Sequence, residues 1–150
     1  MSVHLGAGTL IENGSGEILL VQEGKEHVKG KWNLPSGGFA KEDEDVEETI
    51  REAAVRETLE ETGLKVELEG LIGIYTRDAE RTDKKNTNII FEASRTGGKL
   101  EPNREEEILE ARFFSTEEIE DLETRFDIDT IIEDYKKKGS DEAPVRPLEF

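Results

Sequence analysis

In the stretch Arg56-Glu57-Thr58-Leu59-Glu60-Glu61-Thr62-Gly63-Leu64, three carboxylates and one arginine crowd onto two turns of an expected helix. At roughly 100° per residue, Glu57, Glu60 and Glu61 fall within about a third of the circumference, and Arg56 lies one turn before Glu60. Like charges at this spacing weaken an isolated helix by about a few tenths of a kcal/mol per pair, so the grouping calls for open solvent or a counter-ion. Hard carboxylate oxygens suit magnesium or manganese. Magnesium takes about six oxygens and keeps several waters, which matches two or three glutamates, one backbone oxygen and a substrate phosphate. Gly37 and Gly38 have no side chain to obstruct a close backbone approach, so a carbonyl from that pair could join the carboxylates. A cation held in this way polarises a phosphoryl group and acidifies water.

The acids depend on neighbouring elements for their placement. Glu42 to Val46 leads into a helix running to about Thr62, with Gly63 just past its C-terminus. Val3 to Ile11 and Glu17 to Gln22 are rich in strand formers and flank Asn13-Gly14-Ser15-Gly16, which predicts a hairpin. Trp32 to Gly38 reads as a short extended segment ending in a glycine turn. Beyond the helix, Lys65 to Arg77 is expected to be extended with a break at Gly70, and Asn88 to Arg95 is a further strand after a polar loop, Asp78 to Thr87. Thr96-Gly97-Gly98 turns the chain, and Ile108 to Ser115 has the pattern of another strand. Ser115-Thr116-Glu117-Glu118 is a capping box opening a short helix, and Asp127 to Lys138 forms a last helix with Gly139 beyond it. The tail, with Pro144 and Pro147, is expected to run over the surface. The order β-β-α-β-β-β-α-α predicts a mixed α/β (α+β) fold with a helix laid on a sheet, in one domain over residues 1–150.

Composition narrows the function. At 150 residues the chain has the size of one ordinary domain. Its 37 acidic against 20 basic residues give a net charge of −17, which argues against a nucleic-acid polymer or an anionic membrane as partner. An anionic small molecule would then need a metal or local basic groups to be held. Cysteine is absent, which excludes thiolate chemistry and disulfides. His4 and His27, far apart, do not suggest a zinc site. No apolar run is long enough to span a bilayer, and no leader opens the chain, so a cytoplasmic protein is expected.

The run from Gly38 through Leu64 resembles the Nudix box, Gly-x5-Glu-x7-Arg-Glu-U-x-Glu-Glu-x-Gly-U, where U is a bulky aliphatic residue. Glu48, Arg56, Glu57, Glu60, Glu61, Gly63 and Leu64 stand at the family spacing, and Trp32-Asn33-Leu34-Pro35-Ser36-Gly37-Gly38 resembles the usual lead-in. There are two departures. Gly38 precedes Glu48 by four residues more than the pattern asks, and Thr58 stands where an aliphatic residue is expected. The resemblance implies an α/β/α sandwich with a mixed sheet. It also implies hydrolysis, dependent on Mg2+ or Mn2+, of a diphosphate linkage in a nucleoside diphosphate derivative or nucleoside di- or triphosphate, by metal-activated water.

Carried over, the metal ligands are Glu57, Glu60 and Glu61 with the Gly37 backbone carbonyl, and Arg56 orients the glutamates. Arg56 could instead form an ordinary ion pair with Glu52 or Glu60. Glu48 either takes part in the site or, through Asp45-x-x-Glu48, caps the helix. Family members often carry a further glutamate, ligand or general base, on a loop outside the box. Glu105, Glu106 and Glu107 are the candidates, with Glu107 preferred. Lys29 and Lys31 could meet phosphates, and Trp32, Tyr75, Phe91 or Phe113 could stack on a base or serve the core; Lys31 and Trp32 are the substrate-binding candidates. The segment from Arg112 to Ile119 and the closing Arg146-Pro147-Leu148-Glu149 are similar to a subgroup of broad nucleoside di- and triphosphate phosphatases. The competing reading is a Nudix-fold module that holds a nucleotide without cleaving it. Isopentenyl diphosphate isomerase chemistry would want a cysteine. A homodimer is left open.

Overall fold

The computed structural model describes residues 2–39, 47–78, 84–138 and 142–148. Two sheets form its frame. The larger has the strand order β4-β1-β6-β5-β8 and the smaller β3-β2-β7, where β1 is Ser2–Ile11, β2 Ile18–Glu23, β3 Trp32–Asn33, β4 Ser36–Gly38, β5 Leu64–Asp78, β6 Lys84–Gly98, β7 Ile108–Phe114 and β8 Val145–Pro147. The larger sheet is mixed: β1 runs parallel to β6, β5 antiparallel to β6, and β8 parallel to β5. Three helices complete the described fold, α1 (Ile50–Thr62), α2 (Thr116–Glu120) and α3 (Ile128–Lys136). Among the described residues no helix is long and apolar enough to cross a membrane.

The expected β1–β2 hairpin is replaced by a divergence. Asn13 builds the turn as foreseen, its Oδ1 accepting the Ser15 and Glu17 N–H groups, and Gly16 takes the left-handed φ of 77°. Only one bridge, Glu12 to Ile18, follows before the strands part into different sheets. Both faces of β2 are covered, with Ile18, Leu19, Leu20 and Val21 fully buried. A continuous apolar run of this kind belongs inside a sandwich rather than on the half-exposed arm of a hairpin.

The larger core lies between the sheets. Ile128, Ile131, Ile132 and Tyr135 of α3 recur at i, i+3, i+4 and i+7, and they join Leu10, Ile18, Leu20, Ile90 and Leu148 in one buried cluster. Each such aliphatic side chain contributes about 1.5–3 kcal/mol by leaving water. The tail runs over the surface as expected, β8 being exposed along its length, but as a paired strand: it joins Ile74, Tyr75 and Thr76 of β5, and Leu148 beyond it reaches the core, its N–H donating to the Thr76 carbonyl at 2.8 Å. Pro147 is tolerated there because β8 is an edge strand. Glycines read as turns also prove to be strand: β6 continues through Gly97 and Gly98, and Gly37 and Gly38 pair with Ala7 and Gly6. The Gly70 break is a bulge within β5.

Candidate metal-dependent hydrolase site

Helix α1 begins at Thr49, whose hydroxyl accepts the Glu52 N–H while the Glu52 carboxylate accepts the Thr49 N–H. The cap of α1 is thus formed by Thr49 and Glu52, with Glu48 just before it; Asp45 lies outside the described residues. Glu52 is occupied by the cap and is not the partner of Arg56. At the other end Gly63 adopts a φ of 79°, and a Cβ there would fall 2.2 Å from the Lys99 carbonyl. The last carbonyls of the helix are taken up by one segment. The Lys99 N–H donates to Gly63, the Glu101 N–H to Thr62, the Asn103 N–H to Glu61, and the Asn103 side-chain amide to Glu60 at 2.8 Å. The turn that carries Glu60 and Glu61 is therefore clamped to residues 99–103.

The part of the buried face of α1 that packs on β1 explains the aliphatic position lost to Thr58. Ala53 and Ala54 let the helix approach Ala7 and Phe91 closely, and Thr58, fully buried, shares a 2.7 Å hydrogen bond with Thr9 of β1 while its hydroxyl also reaches the Ala54 carbonyl at 2.8 Å. A satisfied pair of hydroxyls takes the place of apolar packing.

On the face towards β4, Glu57 is 2 % and Glu61 8 % exposed. The Glu57 carboxylate lies directly over Gly37, where a Cβ would come within 2.1 Å of it. Glycine is required here by space rather than by a turn. Glu61 accepts the Ser36 N–H at 3.0 Å. Glu60 is partly exposed, and Arg56 draws these acids together: its Nη1 donates to Glu57 at 3.0 Å and to Glu60 at 3.1 Å, while Nε and Nη2 make a fork to Glu48 at 2.6 and 3.0 Å. Nη2 also approaches the Gly38 carbonyl at 3.4 Å. Glu48 first, with Glu57 and Glu60, holds the guanidinium firmly protonated. Burial, reinforced by the neighbouring charges of Glu23 and Glu57, pushes the Glu61 carboxyl well above the usual carboxylate range, against the opposing Ser36 N–H.

Glu23 was not anticipated. It ends β2, is 5 % exposed, and has Asn33 Nδ2 and Arg125 Nη1 at 3.5 Å each. Its signal in the sequence was a charge at the end of a continuous apolar run. Glu105, Glu106 and Glu107 are exposed; Glu107 has a φ of 57°, and its carbonyl accepts the Gly24 N–H, which sets the loop beside Glu23. Trp32 is 8 % exposed and packs edge-to-face on Phe114 at 4.7 Å, so its ring serves the core as placed. Lys31 is half-buried beside it. Lys29 is exposed, Tyr75 is buried and donates to Asp134 at 2.8 Å, and Phe91 packs under α1.

The donor set fits a hard divalent cation. Two buried carboxylates and a third at the surface edge offer oxygen only, and a cation at Glu61 would favour the ionised form that burial disfavours. Among the described residues no three acids already converge on one point; Glu57 and Glu60 both turn towards Arg56.

Together these elements make a two-sheet sandwich whose acid-faced helix lies against a glycine strand. The chain belongs to the NUDIX family: the NUDIX domain model matches residues 2–135. It is 34% identical over 121 residues to the ADP-ribose pyrophosphatase of Methanocaldococcus jannaschii, covering 81% of this chain and 66% of that one. It is 37% identical over 89 residues to a human 8-oxo-dGDP phosphatase, covering 59% of this chain and 24% of that one. The chain thus spans just under two thirds of the first relative and a quarter of the second. A NUDIX hydrolase from Nitrosomonas europaea has a similar structure, with a TM-score of 0.78 at 27% identity over 89% of this chain and 88% of that one.

Proposed function

We propose that this chain hydrolyses a diphosphate linkage in a nucleoside diphosphate derivative or a nucleoside di- or triphosphate, with Mg2+ or Mn2+ as cofactor. The observation that carries the reading is the pair of buried carboxylates, Glu57 and Glu61, pressed against Gly37 and Ser36 of β4. Glu57, Glu60, Glu61 and the Gly37 carbonyl would hold the cation. When bound, the cation neutralises phosphate charge and lowers the pKa of water. Arg56 keeps Glu57, Glu60 and Glu48 in register, and the Ser36 N–H fixes Glu61. Glu107 takes the proton from the attacking water in this reading, and Lys31 meets a phosphate; Trp32 supports the substrate from the core side.

The names of the two relatives favour a nucleoside diphosphate derivative, such as ADP-ribose or an oxidised nucleotide. Incubation with magnesium and a panel of ADP-ribose, nucleotide sugars, dinucleoside polyphosphates and nucleoside triphosphates, followed by phosphate and nucleoside monophosphate release, tests the reading. Turnover of at least one compound, abolished by chelation, is expected. Tight nucleotide binding with no turnover of any compound would replace the hydrolase by a binding module.

A further inference from the structure

One short side chain joins the helix that bears the acids to the loop that bears Glu107. A side-chain amide carries an acceptor and donors at the same reach, and Asn103 turns them in two directions. Its Oδ1 accepts the Glu105 N–H at 3.1 Å, which opens the 3-10 turn Arg104–Glu106, while its Nδ2 donates to the Glu60 carbonyl at 2.8 Å. The backbone repeats the pattern. The Asn103 N–H donates to the Glu61 carbonyl at 3.3 Å, and the Asn103 carbonyl accepts the Glu106 and Ile108 N–H groups at 3.1 Å each. Asn103 is thus bonded at once to the turn of α1 that carries Glu60 and Glu61 and to the loop that ends at Glu107.

The far end of that loop is held from β2. Glu107 has a φ of 57°, and among the described residues it is the one non-glycine with a positive φ, a conformation in which the Cβ crowds the following carbonyl oxygen. Its N–H donates to the Arg104 carbonyl at 3.0 Å, and its carbonyl accepts the Gly24 N–H at 2.7 Å. A Cβ on Gly24 would fall 2.7 Å from that carbonyl oxygen, so the approach requires glycine. Strain of this kind persists only where the surroundings over-determine it, and here the contacts come from both ends of the loop. We propose that Asn103 is a positioning residue, which sets the spacing between the carboxylates of α1 and the loop that presents Glu107. The use made of that spacing rests on the hydrolase reading. One such hydrogen bond shifts a folding equilibrium by about two- to tenfold, whereas misplacing reacting groups by about 1 Å can cost about a hundredfold in rate. The role of Asn103 therefore shows in kcat before it shows in stability.

Asn103→Ser cuts the tie and spares the cap, since a hydroxyl can still accept the Glu105 N–H but is too short to reach the Glu60 carbonyl. Amide exchange followed by NMR should show the Gly24 N–H exchanging at least about fivefold faster in Asn103→Ser than in the wild type, because the loop that holds it has lost its brace on α1. On a compound that the chain hydrolyses, Asn103→Ser should lower kcat about tenfold with KM within about twofold. In a Glu107→Gln background the same substitution should change kcat by less than about twofold, because the group it positions is already gone. Unchanged protection of Gly24 would overturn the proposal whether or not any substrate is hydrolysed. So would a normal kcat in Asn103→Ser, or an equal loss of kcat in both backgrounds. Faster exchange at Gly24 in a chain that turns over none of the compounds would remove the hydrolase reading alone and leave the coupling between loop and helix in place.

Discussion

Helices α1 and α3 bury themselves by opposite means. Helix α3 presents Ile128, Ile131, Ile132 and Tyr135 to the core between the sheets. Helix α1 buries only two alanines as apolar groups, together with Glu57, Thr58, Glu61 and Thr62. The first is held by the hydrophobic effect, which is strong and tolerant of direction. The second is held by a capping box, a left-handed glycine, a hydroxyl pair and an arginine, each of which fixes a direction as well as a distance. The proposed chemistry falls on the helix whose placement is directional, and the apolar burial falls on the other.

Substitutions can break that division. Glu61→Gln should lower turnover by about 10³-fold while the fold survives; near-normal kcat would remove Glu61 from the site. Arg56→Met leaves Glu57 buried without its guanidinium partner and should cost about 3–4 kcal/mol in a denaturant titration, with activity lost as well. Ile131→Ala should cost about 3 kcal/mol but leave kcat of the folded fraction within about twofold. A large loss of kcat there would show that α3 does more than stabilise. Thr58→Val leaves the Thr9 hydroxyl without its partner and should cost about 1–2 kcal/mol.

The smallest effect is a slope with pH. Because the folded chain raises the Glu61 pKa above its unfolded value, the native state holds the proton more tightly, and stability without metal falls as pH rises from the ordinary carboxylate range through the raised pKa. Melting temperature in a chelator should decline over that window. Glu61→Gln should flatten the decline and, at neutral pH, melt higher than the wild type.

The acid-bearing helix was legible because its residues are local in sequence: spacing alone put Glu57, Glu60 and Glu61 on one face, and Gly63 marked the end. A mixed fold with a helix laid on a sheet was readable from the order of elements, and the mixed sheet was expected from the family resemblance. Contacts made across the fold were not. Glu23 looked like any strand-end charge until Asn33 and Arg125 came from elsewhere to meet it. The partnership of Thr58 with Thr9 spans almost fifty residues, so the threonine read only as a departure from an aliphatic pattern. The pairing of the tail with β5 was missed because two prolines suit a loop and an edge strand equally well.

The hydroxyl bridge between Thr9 and Thr58 works as a registration pin. Small, smooth alanines set no position along β1 by themselves, and a slide of one helical turn, about 5.4 Å, would carry Glu57 away from Gly37 and break the bonds to residues 99–103. Such a slide would strand the Thr9 hydroxyl in a dry interior. A bond worth about 1 kcal/mol in stability thus joins, on the β1 side, the clamp at residues 99–103 in setting where the carboxylates stand.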